Sequence, residues 1–191
     1  MVSVFLKNFI NLDESEKKLI LNWRNSEVIR NNMFNNQIIE INNHINWLNN
    51  LKKNEHNKYY LVFFDEIPKG VVYYNNLDFI NKKGEWGFYL GEKFKGGGII
   101  TEYLAIENFF RNLKMNRLQC YVFDFNEPII KLHKDKFFFK EEGILRNYIM
   151  RNDKFMNVIV LSLLKNEWLD IQNQVRLRIE KIISIENVLW E

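Results

Sequence analysis

Residues 91–110 have the sequence GEKFKGGGIITEYLAIENFF, which places three of the chain's eight glycines in one row. The preceding segment, EWGFYL, is typical of a strand, and the apolar residues after the glycines favour a helix from about Ile99 to Leu113. A glycine turn that enters a helix presents backbone N–H groups and the positive end of the helix dipole on one side. The stretch therefore predicts a phosphate or pyrophosphate site with Lys95 at its rim, and an ordinary glycine-rich loop is the alternative.

Several function classes are disfavoured by the sequence. The glycine turn matches neither G-x-x-x-x-G-K-[ST] nor a G-x-G-x-x-G that opens a first βαβ unit, so a nucleotide triphosphatase and a dinucleotide-binding enzyme are disfavoured. A net charge of +3 without a lysine or arginine stripe disfavours nucleic acid as a partner. The three histidines lack the spacing with carboxylates expected of a metal site. Cys120 lies in an apolar segment and is expected to be a buried core thiol.

Periodicity along the chain predicts a strand, two helices, three strands, a helix, a strand, a short helix and two strands. This order indicates an α/β fold built on a mixed sheet with helices on its faces. Asp13 or Ser15 is predicted to cap the first helix, and Asn126 the short later helix. We expect one domain over residues 1–165 and a helical extension over 166–191, packed on that domain or on a second subunit.

The extension has apolar residues at helical spacing, and its opposite face is charged. A homodimer through this helix and a helix docked on its own domain are both compatible with that pattern. No signal-peptide pattern and no apolar run long enough to cross a membrane occur in the sequence. We therefore expect a cytoplasmic protein without a membrane partner.

The turn KGGGII is similar to the pyrophosphate loop of the GCN5-related N-acetyltransferases, the GNAT superfamily. In that family a Gln or Arg is followed by two residues, Gly, one residue, and Gly or Ala, and the loop opens the long helix after the fourth strand. The chain departs at Lys95, which replaces Gln or Arg, and at Ile100, which replaces the small residue. The resemblance implies that acetyl-CoA is held by Lys95, Gly96, Gly97, Gly98, Ile99 and Ile100.

Two other segments carry the resemblance, which spans about residues 1–165. LNWRNSEVIRNNM followed by INNHINWL is similar to the N-terminal signature of the branch that includes ribosomal-protein alanine acetyltransferases. NEPIIKLHKDKFF resembles the family's N-x-x-A-x-x-L-Y-x-x-x-G-F segment, which also adds Asn126 to the implied cofactor contacts. That segment matches at Asn126, Leu132 and Phe138, and departs at Ile129 for Ala, His133 for Tyr and Phe137 for Gly. The family fold is a mostly antiparallel seven-stranded sheet flanked by helices.

Within the superfamily, the chain most resembles the sugar-nucleotide acetyltransferases of pseudaminic acid biosynthesis, through YLVF, YVF and a lysine before the glycines. This implies acetylation of the 4-amino group of UDP-4-amino-4,6-dideoxy-N-acetyl-β-L-altrosamine, in support of flagellin glycosylation. Acetylation of a protein N-terminus or an aminoglycoside, and a non-catalytic acyl-CoA-binding module, are the alternatives. The candidate substrate residues are Arg24, Met33, Phe34, His44, Asn75 and Asn76; a salt bridge for Arg24 and core packing for Met33 and Phe34 are the structural alternatives.

The resemblance also suggests catalytic groups. In the family, the backbone near Tyr89 and Leu90 polarises the thioester carbonyl in a splay between the fourth and fifth strands, and a tyrosine protonates the leaving thiolate. His133 stands at that tyrosine position, with Tyr121 and Tyr103 as other candidate donors. Because the ordinary pKa of histidine is about 6.5, an imidazolium donor predicts activity that falls between about pH 6.5 and 7.5. A surface histidine without a role is the alternative.

Overall fold

The computed structural model describes residues 2–183 and 185–191. Three short turns, one of 3₁₀ and two of π type, cover Phe9–Asn11, Asn108–Asn112 and Leu132–Lys136. The strands are β1 Val2–Asn8, β2 Lys58–Phe64, β3 Ile67–Asp78, β4 Lys83–Leu90, β5 Arg117–Phe123, β6 Lys140–Arg151, β7 Lys154–Leu164 and β8 Ile185–Trp190. The helices are α1 Glu14–Asn25, α2 Glu27–Arg30, α3 Ile41–Leu51, α4 Gly97–Glu107, α5 Glu127–Lys131 and α6 Lys165–Glu180.

The strands form one eight-stranded sheet in the order β6-β7-β5-β4-β3-β2-β1-β8. The β4–β5 and β1–β8 pairs are parallel, and the other neighbours are antiparallel. The predicted mixed, mostly antiparallel α/β sheet is therefore confirmed, with one strand more than the seven expected.

Both faces of the sheet are covered, as the alternation along β2 illustrates. Tyr60 and Val62 belong to the core that α4 and α6 complete, whereas Leu61 belongs to a second core with α1 and α3. Cys120 is 3% exposed in the first core, which confirms the predicted buried thiol. No helix in the described part of the chain has the length and apolar character needed to span a bilayer.

The first helix begins at a capping box. The Asp13 side chain accepts hydrogen bonds from the backbone N–H groups of Ser15 and Glu16, and the Glu16 carboxylate accepts one from the Asp13 N–H. Of the two predicted caps, Asp13 is therefore the one used. The sequence predicted two helices between β1 and β2. The first of them is divided into α1 and α2, because Ser26 is extended, with φ −61° and ψ 144°.

The glycine turn ends in a left-handed residue. Gly96 has φ +75°, a conformation that side chains with a Cβ rarely adopt, and α4 begins at the next residue. The helix thus starts two residues before the predicted Ile99. Its α-helical hydrogen bonding ends at Glu107, and a π-type turn carries the chain on to Asn112.

The C-terminal segment departs from the prediction of a helix through residue 191. Helix α6 ends at Glu180, and residues 185–190 form β8, which pairs with β1 in parallel. The open edge of β1 explains the difference, because it offers unpaired backbone groups to a segment rich in apolar residues. The Trp190 ring packs edge-on against Tyr60, with 5.0 Å between ring centroids.

Candidate active site

A cleft opens where β4 and β5 separate. The two strands pair only over Lys83–Glu85 and Arg117–Gln119, although both continue beyond those residues. Their diverging halves line a cavity of about 320 Å³ that also reaches Gly98, Asn126 and His133. The structure thus contains the splay that the sequence predicted, and both Tyr89 and Leu90 line it.

Fewer backbone N–H groups of the glycine turn are available to a ligand than the sequence suggested. The Gly97 N–H donates to the Phe94 carbonyl at 3.1 Å, and the Ile100 N–H donates to the Gly96 carbonyl at 3.0 Å. In the described residues, the N–H groups of Gly98 and Ile99 have no backbone acceptor. These two amides are the unpaired donors expected in the first turn of a helix, and Gly98 lies on the cleft.

The two departures of the turn from the family pattern have structural consequences. Lys95 is exposed and is not among the residues that line the cleft, so its role as a rim cation stays a prediction. The Ile100 side chain is fully buried in the core, so it points away from the cleft and does not obstruct it. Lys93, which the sequence analysis did not select, lines the cleft two residues earlier.

The segment after β5 supplies the far wall of the cleft. Asn126 is the N-cap residue of α5, as predicted, but its side chain makes no cap hydrogen bond. Its φ of −86° and ψ of 55° lie outside the extended conformation typical of a cap. The Asn126 side chain lines the cleft instead, at the position that the resemblance assigned to the cofactor.

His133 is a buried residue of the cleft wall rather than a surface residue. It is 3% exposed, and its Nδ1 lies 2.7 Å from Oε1 of Glu102, which is fully buried on α4. The sequence analysis missed Glu102, although an acidic residue within the apolar run IITEYLAIE was the available signal. An ion-pair partner thus stands beside the histidine that replaces the family tyrosine.

The pair changes the titration expected of His133. Burial disfavours its charge, but the Glu102 carboxylate and Cys120 outweigh burial and raise the pKa of His133 to about 10. Burial also raises the pKa of Glu102, against the opposing effect of His133. The two residues therefore keep one proton between them across the neutral range. With the pKa of His133 raised in this way, the activity loss of an imidazolium donor is expected at higher pH than the range of about 6.5 to 7.5 derived from its ordinary pKa.

A second cavity of about 390 Å³ lies next to the cleft, beneath α1 and α3. Most of its lining is aromatic or amide-bearing, with Arg24 and Glu85 as charged groups. The two cavities share six lining residues and are therefore adjoining parts of one site: Asn32, Met33, Tyr73, Trp86, Tyr89 and Tyr121.

Arg24 projects to the second cavity from α1 with one nitrogen unpaired. Its Nη2 donates to the Asn35 carbonyl at 2.7 Å, whereas Nη1 is buried without a hydrogen-bond partner in the described part of the chain. Burial lowers the pKa of Arg24, and the positive charge of Arg30 lowers it further. The nearby Tyr89 and Tyr73 have the opposite effect and raise it. A buried guanidinium nitrogen without an acceptor is costly, so an anionic or carbonyl ligand here would be favourable.

Three arginines hold the loop of residues 31–36, which carries Met33 and Phe34. Among the side chains that the structure describes, Arg24, Arg30 and Arg151 form no salt bridge. The salt bridge considered for Arg24 is thus not found there. The loop contacts are Arg24 Nη2 to Asn35 O (2.7 Å), Arg30 Nη1 to Asn36 O (2.8 Å), Arg151 Nη1 to Asn31 O (2.5 Å) and Arg151 Nη2 to Met33 O (2.6 Å).

The remaining predicted substrate residues divide into two groups. His44 is 5% exposed, lies 3.2 Å from the Lys17 carbonyl through Nε2, and lines the second cavity with Met33, Phe34 and Asn75. Asn75 accepts a hydrogen bond from the Tyr59 hydroxyl at 2.8 Å. Asn76 lines neither cavity: its φ is +52°, and its exposed backbone N–H donates to Asn57. The structure therefore brings together all of the predicted substrate residues except Asn76.

Two other groups bear on the chemistry. Tyr121 lines both cavities and accepts a hydrogen bond from Gln119, whereas Tyr103 packs against Trp168 away from both. Glu85 on β4 lines the second cavity and was not selected from the sequence. As the first residue of EWGFYL it gave no distinguishing pattern, because carboxylates are common at half-buried strand positions.

The chain is similar to known acetyltransferases. The family described as "Acetyltransferase (GNAT) domain" matches residues 9–135. Over 136 residues the chain is 38% identical to acetyltransferase PseH of Campylobacter jejuni subsp. jejuni serotype O:23/36 (strain 81-176), covering 70% of this chain and 83% of that protein.

Solved structures give the same assignment. The crystal structure of Campylobacter jejuni PseH in complex with acetyl coenzyme A superposes with a TM-score of 0.64 at 30% identity, covering 85% of this chain and 99% of that one. Spermidine N-acetyltransferase from Vibrio cholerae, in complex with CoA and spermine, superposes with a TM-score of 0.80 over 87% of this chain and 98% of that one. At 18% identity, that likeness concerns the fold alone.

Proposed function

Because the chain belongs to the GNAT acetyltransferase family and uses acetyl-CoA, we propose that its acceptor is a nucleotide-linked amino sugar. The acceptor is UDP-4-amino-4,6-dideoxy-N-acetyl-β-L-altrosamine, acetylated on its 4-amino group, a step in pseudaminic acid biosynthesis that serves flagellin glycosylation. The observation that carries this proposal is the junction of the two cavities. One is walled by helix amides and separated strands, and the other by an arginine and aromatic rings.

Acetyl-CoA fits the β4–β5 cleft. The free N–H groups of Gly98 and Ile99, at the positive end of α4, suit the pyrophosphate, and Lys93 adds positive charge on the wall of the cleft. The resemblance assigns a further cation to Lys95. Tyr89 and Leu90 line the same cleft, and the resemblance assigns their backbone to the thioester carbonyl. This assignment uses Lys95, Gly98 and Ile99 of the predicted cofactor loop, because the Gly97 and Ile100 amides are already paired.

The second cavity suits an anionic, uracil-bearing acceptor better than a polycation. The unpaired Arg24 Nη1 supports binding of a phosphate, and Met33 and Phe34 offer apolar surface for a planar base. An aminoglycoside or a polyamine would require several carboxylates, and Glu85 is the one carboxylate among the lining residues. Glu85 suits the single amino group of the sugar.

The reaction requires a neutral amine held about 3–3.5 Å from the thioester carbonyl carbon. The six shared lining residues mark the position where the two substrates would meet. There the Tyr89–Leu90 backbone donors would stabilise the oxyanion. His133 is assigned as the donor of a proton to the departing thiolate, with direct transfer from thioester to amine. The second candidate, acetylation of a protein N-terminus, has no observation in the cavity that favours it.

A thiol-release assay tests the proposal. The full chain is incubated with acetyl-CoA and a panel of amines: the UDP-4-amino sugar, the same sugar without UDP, spermidine, an aminoglycoside and a ribosomal N-terminal peptide. We expect thiol release and an acetylated product by mass spectrometry with the UDP-linked sugar. Preferred transfer to a polyamine or peptide would contradict the acceptor assignment, and acetyl-CoA binding without transfer to any amine would favour a binding module.

The homodimer, the cytoplasmic location, and the division of the chain at residue 165 stay predictions. Helix α6 buries Trp168, Val175 and Ile179 against its own sheet. Leu169, which the helical pattern assigned to the packed face, is instead 50% exposed. Sedimentation of the full chain would measure its oligomeric state.

A further inference from the structure

The Glu102–His133 pair is an unusual feature of the wall of the cleft. Both side chains are almost completely buried, and the neighbouring residues on α4, such as Leu104 and Ala105, are apolar. Well-packed apolar residues in place of a buried ion pair are often at least as stabilising. Glu102 Oε2 also lacks a hydrogen-bond partner in the described residues, which adds to the cost of the pair. Stability alone therefore does not account for it.

The His133 ring lies between Glu102 on α4, Cys120 on β5 and the cleft that it lines. The 2.7 Å contact between Glu102 and Nδ1 fixes the ring and leaves Nε2 as the nitrogen that Glu102 does not engage. The rings of Trp86 and Phe139 flank the imidazole, with centroids 5.4 Å and 5.3 Å away. His133 lines the same cavity as Leu90 and Gly98. A carboxylate behind a histidine that faces a reaction cleft is the arrangement that orients a proton-transfer group.

On the basis of the function proposed above, we propose that Glu102 is a positioning residue that forms, with His133, the proton-donating pair for the departing coenzyme A thiolate. The pair performs the task that a tyrosine hydroxyl performs in the resembling family. His133 would contact the reacting sulfur, and Glu102 would act through His133.

The step balances without another reactant. The neutral amine attacks the thioester carbon, so a C–N bond forms and the C–S electron pair leaves with sulfur. His133 Nε2–H donates its proton to that thiolate, which leaves as the free thiol, and the amide nitrogen loses its extra proton to solvent. The Glu102 carboxylate stabilises the imidazolium before the transfer, and His133 regains a proton from water afterwards.

The groups that surround His133 define its titration. Glu102 faces it from α4 and Cys120 from β5, and both raise the pKa of His133 to about 10 against the effect of burial. Lys93, Tyr73, Tyr89 and Tyr121 line the rest of the cleft. Glu102→Gln keeps the size and one hydrogen-bond acceptor but removes the negative charge, so His133 should lose its proton at a lower pH.

The first test is a pH titration of the His133 ring by NMR in the intact protein, which requires no acceptor. We expect a transition near pH 10 in the unchanged protein, shifted down by about 1 to 3 pH units in Glu102→Gln. The matched control is Glu107→Gln on the same helix, where Glu107 pairs with Arg111 outside the cleft. The same transition in all three proteins would overturn the proposal, and so would a His133 that is neutral at pH 7 in the unchanged protein.

The second test measures kcat against pH for transfer to whichever amine of the panel is accepted. We expect His133→Phe to lower kcat about 100-fold, and Glu102→Gln to move the alkaline fall in kcat to lower pH while the Kd for acetyl-CoA changes little. The Glu107→Gln profile should match that of the unchanged protein. An unaltered kcat in His133→Phe would show that the pair is not the proton donor. An acetyl group found on Cys120 after mixing the protein with acetyl-CoA would also overturn the proposal, because transfer would then pass through the thiol.

The outcomes separate this inference from the acceptor assignment. If the UDP-linked sugar is not acetylated but another amine is, the acceptor assignment fails and the pair is still judged by its titration and pH profile. If the sugar is acetylated at an unchanged rate in both variants, the acceptor assignment stands and the pair fails. Thermal unfolding of Glu102→Gln accompanies both tests, so that loss of folding is distinguished from loss of proton donation.

Discussion

The coenzyme cleft and the acceptor cavity are built in different ways. The cleft is lined mainly by β4, the start of α4, β5 and the segment that follows β5, with a smaller share from α2, β3 and the 31–36 loop, and its predicted ligand contacts are largely backbone N–H groups. The acceptor cavity is assembled from side chains of α1, α3, β2, β3 and β4, and from a loop held in part by Arg151 of β6. A backbone site of this kind is set by local sequence, whereas the acceptor site depends on contacts between distant segments.

The largest effect on binding is expected from a change in the coenzyme cleft. Gly98→Glu should weaken acetyl-CoA binding about 100-fold or more, because a carboxylate would repel the pyrophosphate at the first turn of α4. Gly98→Ala is the matched control. Its Cβ would lie 3.5 Å from Leu132, an ordinary contact, so affinity should change by less than about threefold. Calorimetry measures both, and an unchanged Kd in Gly98→Glu would contradict the assignment of the turn.

A smaller effect, confined to the acceptor cavity, is expected from a change at Arg24. Arg24→Met is expected to raise the KM of the UDP-linked acceptor about 10- to 100-fold, because a charge-assisted contact to phosphate is lost. The Kd for acetyl-CoA should stay the same, because Arg24 lines the acceptor cavity and not the cleft. Steady-state kinetics and calorimetry measure the two quantities. Equal losses for both substrates would indicate general misfolding rather than acceptor recognition.

Arg151 tests whether distant contacts set the acceptor cavity. Arg151→Met removes donors to the Asn31 and Met33 carbonyls and a guanidinium 5.0 Å from the Phe123 ring centroid. Loosening of the 31–36 loop should raise the acceptor KM about 3- to 10-fold. Arg146→Met on the same strand is the control, because Arg146 is exposed. Identical acceptor KM values in the two variants would show that the loop does not need this anchor.

The smallest effect on activity should come from the C-terminal strand. Trp190→Ala removes the edge-on contact with Tyr60, at the far side of the sheet from the cleft. The free energy of unfolding should fall by about 1–3 kcal/mol, with kcat and both substrate affinities unchanged. Chemical denaturation and kinetics check this. A large loss of acetyl-CoA affinity would show that β8 supports the cleft, which would contradict the expectation that the cleft is independent of this edge of the sheet.

The same difference explains what the sequence could predict. The sheet and the glycine turn follow from contiguous patterns of periodicity and turn residues, whereas the separated β4 and β5 and Asn126 on the cleft were implied by the family resemblance. Arg151 was missed because it lies 118 residues from Met33, and no local pattern links them. Asn76 was misplaced because its positive φ turns it away from its neighbour Asn75. Strand β8 was missed because its conformation depends on the open edge of β1, which apolar spacing does not reveal.

Glu102 illustrates a further limit. Its position within an apolar helix was visible, but its partner His133 lies 31 residues away, so the effect on proton affinity required the three-dimensional contact. The sequence suggested His133 as a candidate acid, but the pH range expected for it changes with its surroundings, because burial and an adjacent carboxylate can shift a pKa by several units.

A crystal structure with coenzyme A and the acetylated UDP-linked sugar would show whether the two adjoining cavities bind these two substrates. We predict the pyrophosphate at the Gly98 and Ile99 amides, the thiol between β4 and β5 beside His133, and the uridine diphosphate near Arg24. Coenzyme A bound outside the cleft, or a nucleotide bound away from Arg24 and the 31–36 loop, would contradict the account.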